Sequence, residues 1–144
     1  MVKVKIKLNG GKVPTYETKG SAGCDLRAHL SEPITLNPGE RRLIPTGMFL
    51  ELPEGVEAQI RARSGLSIKH GITMINGVGT VDSDYRGEWN VPMVNLGNEP
   101  YTINDGDRIA QAIFSKYETA EFEIVDEISD TERGEGGFGH TGKC

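Results

Sequence analysis

Short segments in which apolar and polar residues alternate constrain the fold of this chain more than any other feature. At the start of the chain Val2, Val4, Ile6 and Leu8 alternate with lysines, which predicts a half-buried strand. Further strands are predicted at residues 24–30, 39–44, 46–51, 56–62, 72–75, 78–81, 88–95, 108–115 and 120–125. Turn sequences separate several of them, at Asn37-Pro-Gly, Pro53-Glu-Gly, Asn76-Gly and Asn104-Asp-Gly. Many short strands at this spacing indicate an all-β sandwich, jelly roll or distorted barrel.

One short helix is predicted from residue 65 to residue 70, with Ser64 as its N-cap. The 144 residues suffice for one domain with a buried core, which we expect to span residues 1–128. From residue 129 onward the alternation is lost, and the sequence becomes rich in glycine with Phe138 as its one large apolar residue. Residues 129–144 are therefore predicted to form a mobile arm, which is either a frayed tail or a segment that closes over a site.

Composition excludes several classes of function. The net charge of −5 argues against nonspecific binding to duplex nucleic acid. Two cysteines and three histidines without ligand spacing predict neither a disulfide framework nor a zinc site. The first residues alternate lysine with apolar side chains, which is not the pattern of a signal peptide, and no run reaches transmembrane length. We expect no membrane partner and a cytoplasmic location, or a nuclear or organellar one in a eukaryote or virus.

Five segments contain residues suited to chemistry, and each also has a purely structural explanation. They are residues 22–28 with Asp25, residues 63–67 at the helix start, residues 76–88, residues 106–111 with Gln111, and residues 133–142 in the arm. A helix start with free N–H groups, a hydroxyl and a guanidinium suits a phosphate, but an N-cap beside a solvated arginine would look the same. Residues 76–88 deliver a carboxylate into a tight turn, but they also fit an ordinary hairpin. Asp25 could instead cap backbone amides, and Gln111 could make a cross-strand hydrogen bond.

Taken together and in this order, the five segments resemble the trimeric dUTP diphosphatase (dUTPase) family. The resemblance runs from residue 22 to residue 142, and Val81-Asp-Ser-Asp-Tyr-Arg-Gly and Gly136-Gly-Phe-Gly are its most specific blocks. It implies a β jelly roll that forms a homotrimer, with active sites between subunits and each arm closing over a neighbour's site. It also implies hydrolysis of dUTP to dUMP and pyrophosphate with Mg²⁺ as cofactor. The metal ligands would come from the triphosphate and water rather than from the protein.

The resemblance further implies a role for each matching position in catalysis. Asp82 would be the base that activates the attacking water. Ser64 would contact the bridge between the α and β phosphates, and Arg63, with the helix start at Gly65, would bind phosphate. Gln111 would bind phosphate or the nearby water, and Arg133 would arrive from the arm.

Base and sugar recognition is implied in the same way. Asn76 and the backbone of Gly79, Thr80 and Val81 would pair with uracil and leave no room for the methyl group of thymine. Tyr85 would pack on the deoxyribose and exclude a 2′-hydroxyl. Two groups complete the implied site: Asp25 as structural support, and the arm residues Phe138, Gly139, His140 and Thr141, of which Phe138 would stack on uracil. The family usually has Ser or Thr where this chain has His140.

Two alternatives remain open at this point. A dCTP deaminase or a bifunctional deaminase-diphosphatase shares the fold, but deamination needs an acid/base glutamate on the strand after the Asp82 turn, and residues 89–95 contain no acid after Glu88. The other alternative is a nucleotide-sensing homologue without turnover, which would not require Asp82, Arg63 and Gln111 together.

Overall fold

The protein is described by a computed structural model that covers residues 1–138. This part of the chain contains eleven β-strands and one helix, as predicted for an all-β protein. The strands are β1 (Lys5–Leu8), β2 (Cys24–Arg27), β3 (Ile34–Leu36), β4 (Arg41–Pro45), β5 (Met48–Glu51), β6 (Val56–Ala62), β7 (Ile72–Met74), β8 (Gly79–Val81), β9 (Asn90–Asn95), β10 (Tyr101–Ile103) and β11 (Arg108–Lys116). The helix α1 (Ser64–His70) lies between β6 and β7.

All strand pairs are antiparallel, and they form four sheets within the described residues. The largest sheet has the order β2-β11-β6-β8, and a second sheet has the order β4-β9-β7. The pairs β1-β5 and β3-β10 form two small sheets. Strands far apart in sequence are therefore neighbours, as in a jelly roll, and residues 1–138 contain no closed barrel.

Alternation along β6 shows how the sequence builds the core. Val56, Ala58 and Ile60 are buried, while the residues between them face outward. Side chains of the same kind from the other strands complete one apolar cluster, including Leu26, Leu36, Ile44, Met48, Ile72, Trp89, Met93, Ile103 and Ile109. The outward side chains of the large sheet are thus free to line a site.

All four turns predicted from sequence contain a glycine in the left-handed region. The φ angles are 79° at Gly39, 75° at Gly55, 69° at Gly77 and 79° at Gly106. Residues with a Cβ atom rarely adopt this backbone conformation, so glycine at these positions permits the tight reversal that each turn requires. The turn predictions are confirmed.

Two strands, β3 and β10, were not predicted. Each has three residues, which is too short for alternation to be recognised, and prolines lie close to both. They pair with each other, and the hydroxyls of Thr35 and Thr102 lie 2.8 Å apart across the pair. Contact with a distant strand, rather than local pattern, defines them.

Two other predictions were wrong. Ser64 is the first residue of α1, and the N-cap is Arg63, whose backbone is extended and whose side chain makes no capping hydrogen bond. Residues 120–125 do not form a strand: the alternation is present, but Phe122 and Ile124 are 90% and 99% exposed. No strand within residues 1–138 pairs with this segment, and an isolated strand leaves its apolar side chains in water.

The last strand ends at Lys116, and residues 117–138 contain no helix or strand. Almost every residue of this stretch is exposed. The boundary at residue 128 and the mobility of the arm stay predictions. In the described part of the chain no helix is long and apolar enough to span a membrane.

Candidate active site

A pocket that we call the hairpin pocket lies beside β8 and the loop after it. Its cavity measures about 330 Å³. The predicted residues Asn76, Thr80, Val81, Asp82 and Tyr85 line it, together with Leu26, Leu43, Ile60, Glu88, Trp89, Asn90, Val91 and Pro92. The structure therefore brings the predicted amide, carboxylate and aromatic ring into one cavity.

Glycine at position 79 lets the backbone of β8 lie close to the pocket wall. Gly79 is buried and pairs with Ile60 of β6. A Cβ atom there would lie 3.1 Å from Asn76 Nδ2 and 3.3 Å from Ile60 Cβ. Any side chain would press on the Asn76 amide, so the small residue preserves the position of that amide beside the strand.

Tyr85 is held over the turn that follows Asp82. Its hydroxyl donates a hydrogen bond of 3.0 Å to the Glu88 carbonyl oxygen. The ring lies so close to Gly87 that a Cβ atom at Gly87 would be 2.3 Å from the tyrosine hydroxyl. Two attachments thus fix a ring that is still 46% exposed, and a ligand can pack against its open face.

Asp82 lies at the mouth of the hairpin pocket. Its carbonyl oxygen accepts a hydrogen bond from the Tyr85 N–H at 3.2 Å, which closes the turn, and the residue is exposed. Asp82 also borders a second hollow lined by Glu54, Asp84 and Tyr117, among others. Among residues 1–138 no side chain hydrogen bonds or forms an ion pair with its carboxylate, so the oxygens are available to a water molecule.

A second pocket, which we call the arginine pocket, lies on the opposite face of the large sheet, beside the end of β6 and the start of α1. Its cavity measures about 410 Å³. Four predicted site residues and Asp25 lie here: the lining consists of Glu17, Ser21, Ala22, Gly23, Asp25, Arg61, Arg63, Ser64, Gly65, Arg108, Gln111 and Ile113. Three arginines around one cavity suit an anion with several negative charges.

Asp25 is the centre of an ion-pair network in the arginine pocket. One of its oxygens lies 3.3 Å from Arg63 Nε, and the other lies 3.0 Å from Arg108 Nη1. Arg63 also donates a hydrogen bond of 3.0 Å to the Arg108 carbonyl oxygen. The Asp25 side chain is only 12% exposed, so it fixes both guanidinium groups from below. The structural role of Asp25 stays a prediction, and this contact is consistent with it.

Gln111 and Ser64 present polar groups beside these arginines. The Gln111 amide donates a hydrogen bond of 3.1 Å to the Ala62 carbonyl oxygen, just before the helix start. A Cβ atom at Gly23 would lie 2.4 Å from Gln111 Oε1, so glycine at that position leaves space for the amide. Ser64 and Gly65 are exposed at the first turn of α1, where backbone N–H groups have no partner inside the helix.

Two neutral groups neighbour lining residues of the arginine pocket in sequence, since Tyr16 precedes Glu17 and Cys24 lies between Gly23 and Asp25. Burial raises the pKa of the Cys24 thiol, which donates to the Ala112 carbonyl oxygen at 3.5 Å, and burial also raises the pKa of the Tyr16 hydroxyl. Both groups stay protonated at neutral pH because a raised pKa favours the neutral acid. The charge of the pocket is therefore set by its arginines and carboxylates.

The two pockets are separate within one chain. Val81 pairs with Ala58 on β6, so Asp82 lies beside the start of that strand, whereas Arg63 and Ser64 follow its end. At roughly 3.3 Å per residue, Asp82 and Ser64 are on the order of 20 Å apart. This separation exceeds the reach of a triphosphate, so one chain does not bring its own Asp82 to its own Ser64.

The described part of the arm does not reach either pocket. Arg133 Nε donates to the Gly136 carbonyl oxygen at 2.7 Å within a local turn. Phe138 is fully exposed and has a positive φ of 45°. Three further predicted residues, Gly139, His140 and Thr141, lie outside the described residues. The predicted contacts of the arm stay predictions.

Sequence reasoning missed several lining residues, and Arg108 is the most informative. Simple alternation puts Arg108 and Gln111 on opposite faces of β11, because three positions separate them. A register shift between Arg108 and Ala110 turns both side chains toward the arginine pocket. Glu17 was missed because it lies in a loop distant in sequence from Arg108. The apolar wall of the hairpin pocket, including Leu43 and Pro92, carries no sequence signal that distinguishes it from core.

The fold and the two pockets together define a class: an antiparallel β protein with one pocket that combines apolar and polar side chains and a separate pocket lined by three arginines. The family model for dUTPase matches residues 9–142. The chain belongs to the dUTPase family.

Similar proteins and structures agree with this assignment. The deoxyuridine 5′-triphosphate nucleotidohydrolase of Finegoldia magna is 60% identical over 142 residues, covering 98% of this chain and 99% of that protein. The protein of the same name from Fusobacterium nucleatum is 58% identical over 146 residues, covering 99% of this chain and all of that protein. The structure of Staphylococcus bacteriophage 80alpha dUTPase with dUpNHpp has a TM-score of 0.90 at 27% identity and covers 98% of this chain and 99% of that chain. The jelly-roll prediction is confirmed.

Proposed function

We propose that this protein hydrolyses dUTP to dUMP and pyrophosphate. The observation that carries the proposal is the hairpin pocket, where Asn76, Asp82 and Tyr85 line one cavity. The activity limits uracil in DNA and supplies dUMP for dTMP synthesis. Relatives named deoxyuridine 5′-triphosphate nucleotidohydrolase, at 60% and 58% identity, support the same reaction.

Uracil fits the groups that line the hairpin pocket. Its edge shows two carbonyl acceptors on either side of one N–H donor, and the Asn76 amide offers both a donor and an acceptor. Since β8 is the edge strand of the large sheet, its backbone at Gly79 and Thr80 has a side with no strand partner within residues 1–138, which offers further N–H and C=O groups. Because the strand approaches closely at Gly79, a 5-methyl group meets the wall, and cytosine presents its donors and acceptors in the wrong order.

Hydrolysis requires a water molecule activated beside the α-phosphorus. Asp82 is the carboxylate suited to this role, since no described side chain occupies its oxygens. As base it takes a proton from the water, and the resulting hydroxide attacks phosphorus in line with the leaving pyrophosphate. The bond between the α-phosphorus and the α–β bridging oxygen breaks, and pyrophosphate carries away the electron pair.

The arginine pocket is suited to the phosphates. Arg63 and Arg108 offer fixed positive charge, Ser64 offers a hydroxyl for the bridging oxygen, and Gln111 lies next to them. Charge that develops on the leaving group is stabilised by donors that are already in place. We propose that Arg133 and Phe138 complete the closed site, with Gly139, His140 and Thr141 contacting phosphate.

Magnesium is proposed as the cofactor, held by the substrate. Within residues 1–138 no group of three or more His, Cys, Asp or Glu side chains is placed to bind a metal ion. The carboxylate nearest the arginines, Asp25, already contacts two of them. Triphosphate oxygens and water fit Mg²⁺ better than these side chains do. Bound there, the ion neutralises charge along the triphosphate.

We propose a homotrimer with active sites between subunits. The support is geometric: Asp82 and Ser64 are on the order of 20 Å apart in one chain along a strand, so the hairpin pocket of one subunit has to meet the arginine pocket of another. The exposed alternation at Phe122 and Ile124 is also suited to pairing with another chain. A cytoplasmic location stays a prediction.

The two alternatives are not favoured. A deaminase needs a free glutamate near the base, but the Glu88 carboxylate accepts a hydrogen bond of 2.8 Å from the Gly47 N–H, which gives it a structural role. A homologue without turnover is also disfavoured, because the carboxylate, hydroxyl and arginines that the reaction needs are all present.

Incubation with dUTP, dCTP and UTP, each with Mg²⁺, tests the proposal when products are separated by anion-exchange chromatography. We expect dUMP and pyrophosphate from dUTP, with little reaction of the other two nucleotides. Formation of dUTP from dCTP would identify a deaminase. Binding of dUTP without any product would support the sensing alternative.

A further inference from the structure

The arginine pocket contains an acidic side chain that the proposed reaction does not use. Glu17 lines the pocket, and its Oε2 atom lies 3.4 Å from Arg108 Nη1. A carboxylate facing a site for a triphosphate repels the ligand, so its presence needs an explanation.

The backbone around Glu17 is fixed by hydrogen bonds. The Asp25 N–H donates to the Thr15 carbonyl oxygen at 2.8 Å, which joins the loop to β2. On the other side, the Thr18 N–H donates to Ser21 Oγ at 3.1 Å, and the Ser21 N–H donates to the Thr18 carbonyl oxygen at 3.1 Å. The Thr15 hydroxyl also donates to Glu17 Oε1 at 3.2 Å. The loop therefore holds the carboxylate at the pocket.

Arg108 does not depend on Glu17 for its position. The same guanidinium nitrogen lies closer to Asp25, at 3.0 Å, and the Asp25 side chain is 12% exposed while that of Glu17 is 51% exposed. The more buried and shorter ion pair fixes the arginine more strongly. What Glu17 adds is mainly charge.

The charge balance shows what that addition does. Among the residues that line the pocket, Arg61, Arg63 and Arg108 are positive, while Glu17 and Asp25 are negative, which leaves one net positive charge. Without Glu17 the pocket would have two. A polyphosphate binds more tightly to the more positive pocket.

We propose that Glu17 weakens the binding of polyphosphate in the arginine pocket and so speeds the release of pyrophosphate. The role in pyrophosphate release rests on the proposed function. The effect of Glu17 on polyphosphate binding does not. A side chain that weakens the binding of the substrate and of the leaving group alike raises KM and reduces product inhibition. It does not lower kcat.

The test is calorimetric titration of inorganic tripolyphosphate, with excess Mg²⁺, into wild type, Glu17→Gln and Glu32→Gln. Glu32 is an exposed residue that lines neither pocket, so its variant matches the change in net charge. At low salt we expect Glu17→Gln to bind about two- to fivefold more tightly than wild type, the range for an exposed charge pair. Glu32→Gln should match wild type.

Salt separates the electrostatic role from a positional one. The difference between Glu17→Gln and wild type should shrink as ionic strength rises from about 0.01 M to 0.5 M, because salt screens the repulsion between the exposed Glu17 carboxylate and the phosphates. Equal or weaker binding by Glu17→Gln at low salt, or no binding by any of the three proteins, overturns the proposal. Weaker binding that does not change with salt would instead mean that Glu17 positions Arg108.

The proposed function and the inference about Glu17 can fail separately. The proposed function fails if wild type does not hydrolyse dUTP, whereas the titration measures only binding at the anion site. If wild type hydrolyses dUTP, product inhibition by pyrophosphate should also be about two- to fivefold stronger in Glu17→Gln.

Discussion

The hairpin pocket and the arginine pocket lie on opposite faces of the large sheet, since the neighbouring residues Ile60 and Arg61 line one each, and their linings differ in chemistry. The hairpin pocket combines an apolar wall with a close backbone approach at Gly79 and a ring fixed at Tyr85. The arginine pocket consists of charged side chains held by the buried Asp25. Under the proposed function, the hairpin pocket recognises base and sugar by shape and hydrogen-bond pattern and also supplies the base Asp82, whereas the arginine pocket binds phosphate by charge. The difference teaches that nucleoside recognition and phosphate binding are assigned to two regions that one chain keeps apart.

Replacement of Asp82 by asparagine should have the largest effect. We expect turnover of dUTP to fall by about 10²-fold or more, the scale of a lost general base, while affinity for a nonhydrolysable analogue is kept. The protein should stay folded, because Asp82 is exposed. Steady-state kinetics, analogue titration and thermal melting measure these three effects. Near-normal turnover would remove Asp82 from the mechanism.

Deletion of residues 130–144 should lower turnover by roughly 10²-fold, because an open site admits bulk water and loses Arg133 and Phe138. The melting temperature should change little, since the described part of this stretch packs against no core residue and is exposed. Calorimetry checks the second point. Loss of folding on truncation would assign the arm a structural role.

Mixed assemblies of Asp82→Asn and Arg63→Gln chains test the separation of the pockets. Each variant alone should be nearly inactive. If every site combines Asp82 of one chain with Arg63 of another, random equal co-assembly should restore about a quarter of wild-type activity, since one pairing in four has both residues intact. Co-expression with two affinity tags isolates the mixed trimers, in which one site of three is intact, so about a third of wild-type activity is expected after isolation. No recovery would place both residues in a site built by one chain.

Replacement of Tyr85 by alanine should relax the preference for dUTP over UTP by roughly tenfold, because the ring no longer excludes a 2′-hydroxyl. Tyr85→Phe is the matched control: it keeps the ring and removes only the hydrogen bond to the Glu88 carbonyl oxygen. Comparison of kcat/KM for the two nucleotides gives the answer. An unchanged preference in Tyr85→Ala would mean that the sugar is recognised elsewhere.

The substitutions Gly23→Ala and Gly87→Ala should produce the smallest effects. Together they allow the two pockets to be compared directly. At Gly23 the new methyl group displaces the Gln111 amide, and at Gly87 it displaces the Tyr85 hydroxyl. We expect Gly23→Ala to lower kcat a few-fold without changing sugar preference, and Gly87→Ala to relax sugar preference with less effect on kcat. Both should fold, since Gln111 and Tyr85 are not core residues and each can rotate away from the new methyl group. The same effect from both variants would contradict the division of roles.

Local sequence by itself determined most of the strands, all four predicted turns and the short helix. The reason is that side-chain alternation and the positive φ of glycines such as Gly39 and Gly55 are properties of neighbouring residues. The resemblance of five ordered segments predicted the family and named five lining residues in each of the two pockets. These features could be predicted because each one depends on the identity of a few consecutive residues.

Only the tertiary structure decided which of those residues share a cavity. The strands β3 and β10 exist because they pair with each other, and residues 120–125 remain single because no strand of residues 1–138 pairs with them. The shifted register at Arg108 turns it toward Gln111, and the pairing of Val81 with Ala58 places Asp82 far from Ser64. Alternation fixes which face of a strand a side chain occupies. Register and sheet order depend instead on contacts between segments distant in sequence, so a local pattern cannot predict them.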